Sequence, residues 1–173
     1  MINGASGGVG TFAVQIARAM GAEVTGVCST RNVDMVRSLG ADHVFDYKRE
    51  NYIESGRKYD LIVDMVGNHS PNANRRVLEP GGKLVLVGGA KGDWLGPLLG
   101  SLKAIVLQPF VDEELVVLLA ILRGEDLQTL AGMMEEGKLT VAIDRHYPLE
   151  QVPEALAYSE EGRARGKIVI DVE

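Results

Sequence analysis

The stretch NGASGGVG, residues 3–10, decides the fold of this chain. In a dinucleotide-binding turn, one glycine makes a tight bend, a second lets the backbone approach a pyrophosphate, and a third lets the next helix pack on its strand. Aligned to the pattern G-x-G-x-x-G, residues 5–10 have alanine at the first position and glycine at the other two. The stretch therefore predicts a phosphate-binding turn at the start of a helix, with a purely structural glycine turn as the alternative.

Beyond this stretch, apolar runs of strand length alternate with segments of helical periodicity, a pattern typical of βαβ units on a parallel sheet. The first helix carries an apolar stripe that consists of Val9, Phe12, Ala13, Ile16, Ala17 and Met20. Further helices are expected at 32–39, with Asn32 as the cap, and at 71–78 and 126–136. Strands are expected at 23–28, 43–45, 60–66 and 83–87, and from Leu115 to Ile121. A turn at 80–82 is expected to precede the strand at 83–87.

This order of elements predicts an α/β fold with a doubly wound parallel sheet, the Rossmann fold, followed by a short C-terminal tail. We place the Rossmann domain at residues 1–146 and the tail at residues 147–173. Within the tail, Pro153 begins a helix that Gly162 ends, and residues 167–172 form a final strand.

The composition excludes several classes of protein. The chain has 18 Lys and Arg against 24 Asp and Glu, which is too little positive charge for a nucleic-acid-binding protein. No uncharged apolar run approaches the roughly 20 residues of a membrane-spanning helix, so we expect no membrane partner. Cys28 is the single cysteine. No intrachain disulfide can form, and we expect a cytoplasmic protein.

The stretch CSTRN, residues 28–32, bears on the choice of coenzyme because it follows the second predicted strand. NAD-binding proteins place a carboxylate there, which bonds the ribose 2′-hydroxyl. This stretch has no carboxylate, whereas the hydroxyl of Ser29 and the guanidinium of Arg31 suit a 2′-phosphate. The sequence thus favours NADPH over NADH. In the alternative interpretation, Arg31 is a solvated residue at a helix entry and Ser29 an ordinary cap.

Other candidate catalytic groups form no recognisable constellation. The three histidines have no metal-ligand spacing with one another or with Cys28, so no metal site is predicted. No tyrosine is followed by lysine four positions later, which excludes the short-chain dehydrogenase arrangement. Asp60 and Asp64 would lie about 13 Å apart on one strand, too far to share a proton, and we predict that they cap strand ends. No catalytic residue is identified.

Several short blocks, in this order and spacing, resemble the medium-chain dehydrogenase/reductases, specifically their zinc-independent quinone oxidoreductase-like branch. The blocks are NGASGGVG with AVQIA (3–10 and 13–17), LGADHV (39–44), YD with DMVG (59–60 and 64–67), PGGK (80–83) and GKIV (166–169). The resemblance covers essentially the whole chain. It implies hydride transfer from NADPH to a quinone, an enone or a related conjugated carbonyl acceptor, without zinc.

Members of that family have an N-terminal GroES-like substrate domain before the Rossmann domain. This sequence begins inside what would be the family's first strand, so we expect the substrate domain to lie outside it and the isolated chain to turn over poorly. From about Tyr147 onward the sequence looks like the tail that returns to that domain. The family dimerises through the region of the predicted strand from Leu115 to Ile121, a long apolar edge strand that another chain would cover. We therefore predict a homodimer.

The resemblance also implies a set of coenzyme-binding residues. These are Ser6, Gly7, Gly8, Val9 and Gly10 at the pyrophosphate, and Ser29, Arg31 and Tyr47 at the adenosine 2′-phosphate and ribose. Val66 and Gly67 are expected on the adenosine side of the cleft, Val87, Gly88 and Gly89 near the nicotinamide ribose, and Arg163 and Lys167 as tail groups that reach the 2′-phosphate.

Two other functions stay open. A non-catalytic NADPH-binding or NADPH-sensing module would carry the same turn. A class I methyltransferase has a similar sheet, and LEPGGKL, residues 78–84, resembles its late strand entry. A methyltransferase, however, needs an acidic residue after the second strand to hold the ribose of adenosylmethionine, and residues 29–31 offer none.

Overall fold

A six-stranded parallel sheet forms the centre of the computed structural model, which describes residues 1–87, 104–118 and 120–172. Its strands are β1 (Ile2–Asn3), β2 (Thr25–Cys28), β3 (His43–Asp46), β4 (Tyr59–Asp64), β5 (Leu78–Leu86) and β6 (Glu114–Val117). The spatial order is β3-β2-β1-β4-β5-β6, and every pairing is parallel. The order reverses between β1 and β4, which confirms the predicted doubly wound α/β fold.

The strands are accompanied by α-helices, five of which are described over their full length. They are α1 (Gly10–Ala19), α2 (Val33–Ser38), α3 (Pro71–Arg75), α4 (Gly124–Glu135) and α5 (Val152–Glu160). A glycine in the left-handed conformation follows both α1 and α4: Gly21 has a φ of 83° and Gly137 a φ of 70°. No helix among the described residues is long and apolar enough to span a lipid bilayer.

A second, smaller sheet contains the C-terminal tail. Strand β7 (Ile143–Pro148) pairs in parallel with β8 (Lys167–Asp171), and α5 connects them. The predicted helix and final strand are thus present, and β7 spans the predicted boundary between residues 146 and 147.

The core lies on both faces of the large sheet because successive strand residues point to opposite sides. Val27 belongs to one apolar cluster and its neighbour Cys28 to the other. Ile62 and Leu84 are fully buried on adjacent strands. Burial of one such side chain stabilises the fold by about 1.5–3 kcal/mol. Strands covered on both faces are what the nearly continuous apolar runs of the sequence predict.

The buried face of α1 differs from the predicted apolar stripe. Val9 and Met20 are 57% and 80% exposed, whereas the buried residues of the helix are Gly10, Thr11, Val14 and Gln15. The reason is the close approach at Gly10, which turns that side of the helix toward the sheet. The predicted stripe omitted the buried Val14, and because it counted only apolar side chains it also omitted Gly10, Thr11 and Gln15.

Two strand predictions also need correction. The predicted strand from Leu115 to Ile121 is right only at its beginning, because β6 ends at Val117 and Ile121 is 70% exposed. Strand β5 begins at Leu78, earlier than predicted, and contains the predicted turn at 80–82 as an irregularity. The register of the pairing with β4 shifts at that point. The predicted turn residues therefore interrupt the regular strand pairing, but they do not separate a helix from a strand.

Candidate functional site

The candidate site lies at the carboxyl edge of the large sheet, beside the reversal of strand order. Three connections meet there: the glycine-rich loop after β1, the CSTRN stretch at the end of β2, and the turn after β4. Ligands of doubly wound sheets bind in the crevice outside such strand ends. The topology therefore gathers the predicted site from distant parts of the sequence.

The glycine-rich loop bends at Gly4, a residue that the alignment to G-x-G-x-x-G missed. Gly4 has a φ of 89°, and its amide donates to the carbonyl of Val27 at 3.2 Å. A Cβ at this position would lie 2.9 Å from Cγ2 of Val66. The tight bend thus belongs to Gly4 rather than to Ala5. Its place directly after the first strand was the signal in the sequence.

Gly10 lets α1 start directly on this bend. A Cβ on Gly10 would overlap the carbonyl oxygen of Gly4 and lie 2.8 Å from the carbonyl carbon of Ala5. The first turn of α1 contains no acidic residue. The first amides of a helix have no intrahelical partner and carry partial positive charge. The loop and the helix start thus fit an anionic group such as a pyrophosphate.

Asn32 connects this loop to the end of β2. It immediately precedes α2, but its side chain makes no capping hydrogen bond, so the predicted cap is wrong. Instead, Nδ2 of Asn32 donates to Oγ of Ser6 at 2.9 Å and to Oγ of Ser29 at 3.2 Å. The structure thus brings together two predicted site residues: Ser6 from the glycine-rich loop and Ser29 from the end of β2 both contact Nδ2 of Asn32.

The tail lies against the same loop. The guanidinium of Arg31 donates to the carbonyl of Arg163, and the amide of Gly166 donates to the carbonyl of Ser6 at 3.0 Å. The ammonium of Lys167 lies 5.6 Å from the ring centroid of Phe12 in α1. The structure therefore places the predicted tail residue Lys167 beside the glycine-rich loop and the predicted tail residue Arg163 beside Arg31.

Tyr47, a predicted ribose contact, follows β3, and its amide donates to the carbonyl of Cys28 at 3.1 Å. The preceding residue, Asp46, was not predicted. Hydrogen bonds, first from the hydroxyl of Thr30 and then from the amide of Lys48, hold the pKa of the Asp46 carboxyl below its ordinary value. Asp46 thus holds the turn after β3, where its Oδ1 accepts from the amide of Lys48 at 3.0 Å.

Asp64 organises the turn after β4. It is fully buried, and its Oδ1 accepts hydrogen bonds from Nδ2 of Asn3 at 2.8 Å and from the amides of Val66 and Gly67 at 3.0 and 2.9 Å. Its Oδ2 accepts from Nδ2 of Asn74 at 3.3 Å. The predicted capping role of Asp64 is confirmed. The carboxylate holds both predicted residues of this turn in place.

The remaining predicted coenzyme contacts follow β5. The amide of Val87 donates to the carbonyl of Asp64 at 2.8 Å, which places Val87 beside the end of β4. Gly88 and Gly89 lie outside the described residues.

Neither the cysteine nor the histidines form a reactive centre in the part of the chain that the structure describes. Cys28 is buried, and this burial, followed by the charge of Asp46, raises the pKa of its thiol to about 11. The thiol is therefore protonated near neutral pH. His43 pairs with Glu23, and no cluster of three or more potential metal ligands occurs among the described residues.

Comparison with known proteins gives consistent results. Residues 39–170 match the sequence profile of the family described as "Zinc-binding dehydrogenase". Over 99% of its length the chain is 37% identical to the chloroplastic quinone oxidoreductase QR1 of Triphysaria versicolor, of which it covers 51%. It is 36% identical to the trans-enoyl reductase pgmF of Aspergillus terreus, with 99% and 51% of the two chains covered.

Among solved structures, the quinone oxidoreductase from Coxiella burnetii superimposes with a TM-score of 0.83 at 27% sequence identity. The match covers 99% of this chain and 52% of the other. The chain thus spans about half the length of the relatives that it matches.

Proposed function

The chain belongs to the zinc-binding dehydrogenase family of the medium-chain dehydrogenase/reductases, as its coenzyme-binding half, and from this premise we propose that it binds NADPH for hydride transfer. The acceptor would be a quinone, an enone or a related conjugated carbonyl compound. The observation that carries the proposal is the convergence of Ser6, Ser29 and Arg31 at the carboxyl edge of the sheet.

The preference for NADPH over NADH rests on charge. Arg31 follows β2 and contacts the backbone of Arg163, Lys167 lies beside the glycine-rich loop, and residues 28–32 contain no carboxylate. A ribose 2′-phosphate needs hydrogen-bond donors and positive charge, and a guanidinium can supply two parallel bonds. A 2′-hydroxyl would lack the acceptor that NAD-binding proteins provide at this point.

Each connection has a separate task in this proposal. The loop from Gly4 to Val9 and the start of α1 hold the pyrophosphate, and the turn held by Asp64 forms the adenosine side of the cleft. When bound, the coenzyme supplies the hydride, and the protein orients it and excludes water. The absence of a role for zinc stays a prediction.

The assembly and the activity of these 173 residues are further parts of the proposal. Most contacts to the acceptor would come from the segment that corresponds to the other half of the relatives, so we expect coenzyme binding with little turnover. We propose a homodimer through β6, an edge strand beside the exposed Leu118. We propose a cytoplasmic protein without nucleic-acid or membrane partners, as its charge and its reduced cysteine suggest.

Calorimetric titration with NADPH, NADH and adenosylmethionine tests the proposed function. We expect binding of both nicotinamide coenzymes, with the lower dissociation constant for NADPH, and none of adenosylmethionine. Equal dissociation constants for NADPH and NADH would overturn the assigned specificity. Failure to bind either coenzyme would overturn the proposed function as a whole.

A further inference from the structure

Asn32 is buried and does not have the role that its position in the sequence indicates. It is only 4% exposed, and its backbone amide donates to the carbonyl of Ser29 at 2.8 Å in a short 3-10 turn. Asparagine before a helix ordinarily accepts a hydrogen bond from a helix amide. Here Oδ1 is buried and has no partner among the described residues. The side chain therefore forgoes a capping bond, which suggests a different use.

The bonds that Asn32 does make determine where two hydroxyl protons can go. A serine hydroxyl has one proton to donate and two lone pairs that accept. Nδ2 of Asn32 has only protons, so it occupies a lone pair on Oγ of Ser6 and on Oγ of Ser29. Neither hydroxyl donates to another group within the described ranges. Both protons are thus available to an acceptor in the cleft.

The two serines stand at different parts of the candidate site. Ser6 belongs to the glycine-rich loop, whereas Ser29 stands at the end of β2 beside Arg31. Phosphate oxygens only accept hydrogen bonds, so hydroxyls that are fixed as donors suit them. The side chain of Asn32 therefore leaves the hydroxyl of Ser6 as a donor to a pyrophosphate and the hydroxyl of Ser29 as a donor to a 2′-phosphate.

We propose that Asn32 is a positioning residue for NADPH, which fixes the hydroxyls of Ser6 and Ser29 as donors to the two phosphate groups of the coenzyme. This inference rests on the proposed function. Asn32 acts through the serines and touches no reacting atom. A residue that merely braced the loop against β2 would affect all nucleotides alike, whereas a residue that orients Ser29 has its larger effect on the coenzyme with a 2′-phosphate.

The variant Asn32→Asp tests the polarity of these bonds while it keeps the shape of the side chain. A carboxylate only accepts, so the hydroxyl protons would turn toward residue 32 and away from the phosphates. We expect the dissociation constant for NADPH to rise about 10- to 100-fold, and that for NADH to rise several-fold less. The matched control is Asn51→Asp, an exposed asparagine that caps a short turn, and we expect it to change neither constant.

A mutant cycle decides whether Asn32 acts through the serines. Asn32→Ala is compared in the wild-type chain and in the chain with Ser6→Ala and Ser29→Ala, with thermal unfolding as a check on folding. We expect the loss of NADPH affinity to shrink to less than twofold in the second background. If Asn32→Ala does not fold, Asn32→Asp takes its place in both backgrounds.

Equal losses in the two backgrounds, or equal losses for NADPH and NADH, would overturn the role of Asn32 and leave the proposed function intact. A wild-type chain that binds no NADPH would instead overturn the proposed function, and this inference with it. The two failures are therefore distinguishable.

Discussion

The amide of Gly166 donates a hydrogen bond to the carbonyl of Ser6 at 3.0 Å, so the segment that leads into β8 lies directly on the glycine-rich loop. The two residues are far apart in the sequence: Ser6 follows a strand of the large sheet, and Gly166 precedes a strand of the small one. The site therefore depends on the tail as well as on the large sheet.

Substitution of Gly166 tests this dependence. Gly166 has a φ of 86°, and a Cβ there would overlap the carbonyl oxygen of Ala142. We expect Gly166→Ala to lower the free energy of unfolding by about 2–5 kcal/mol and to weaken NADPH binding. The control Gly56→Ala has a similar φ of 72° but nothing within 4 Å, so it should cost about 1–2 kcal/mol and leave binding unchanged. Urea unfolding gives the free energy of unfolding of both variants. Equal losses of stability in Gly166→Ala and Gly56→Ala would contradict the close contact between Gly166 and Ala142.

Gly10 and Gly132 both lie in helices, but replacement by alanine should have opposite effects on stability at the two positions. A Cβ on Gly10 would overlap the carbonyl oxygen of Gly4, whereas Gly132 in α4 has nothing within 4 Å. Gly10→Ala should destabilise the chain by about 1–3 kcal/mol and raise the NADPH dissociation constant. Gly132→Ala should stabilise it by about 0.5–1 kcal/mol. Thermal unfolding and calorimetric titration measure the two effects, and a stabilising Gly10→Ala would refute the close packing.

Arg31 should decide coenzyme preference more than total affinity. We expect Arg31→Ala to raise the NADPH dissociation constant about 10- to 100-fold because a charge-assisted bond to the 2′-phosphate is lost. The NADH constant should change little. Arg57→Ala, which removes an exposed arginine before the amino end of β4, is the control. An unchanged ratio of the two constants in Arg31→Ala would show that this side chain is only a solvated helix-entry residue.

Cys28 should make the chain less stable at alkaline pH. Its folded-state pKa of about 11 lies above its ordinary value near 9, so the folded chain holds this proton more tightly than the unfolded chain. The resulting stabilisation is complete below about pH 9 and is lost as the pH rises toward 11. Denaturant titrations from pH 7 to 11 should show a shallower decline for Cys28→Ala than for the wild type. Parallel curves would contradict a thiol that is buried and protonated.

We expect two copies of the chain to associate through strand β6. Among the strands that the structure describes it is at the edge of the large sheet, and Leu118, directly beyond it, is 47% exposed. Light scattering at micromolar concentration should give the mass of a dimer, and Leu118→Lys should shift the mass toward that of a monomer, because charge on an edge opposes pairing. A monomeric wild-type chain would end the proposal of a homodimer.

The order of elements could be predicted because it depends on local patterns. Apolar runs and glycine positions define strands, helix ends and the glycine-rich loop without knowledge of distant contacts. Even the missed bend at Gly4 was visible in the sequence, since a glycine directly after a strand permits a positive φ.

The roles of Asn32 and α1 could not be predicted because both depend on distant partners. Asn32 stands where the sequence predicts a helix cap. Only the fold shows that its side-chain amide donates a hydrogen bond to the hydroxyl of Ser6, 26 residues earlier. Likewise, the buried face of α1 includes Gln15, which is polar and would be placed outside by any count of apolar residues. Its partner, Thr140, lies 125 residues away.

The bonds of Gln15 join α1 to the segment that leads into the second sheet. Its side chain donates to the carbonyl of Thr140 at 2.9 Å and accepts from the amide and the hydroxyl of that residue at 2.8 and 3.0 Å. The middle of the helix is thus bonded to Thr140, which precedes β7, while its first residue, Gly10, meets Gly4 without free space. Hydrogen bonds and close packing thus hold α1 both to the glycine-rich loop and to the segment that precedes β7.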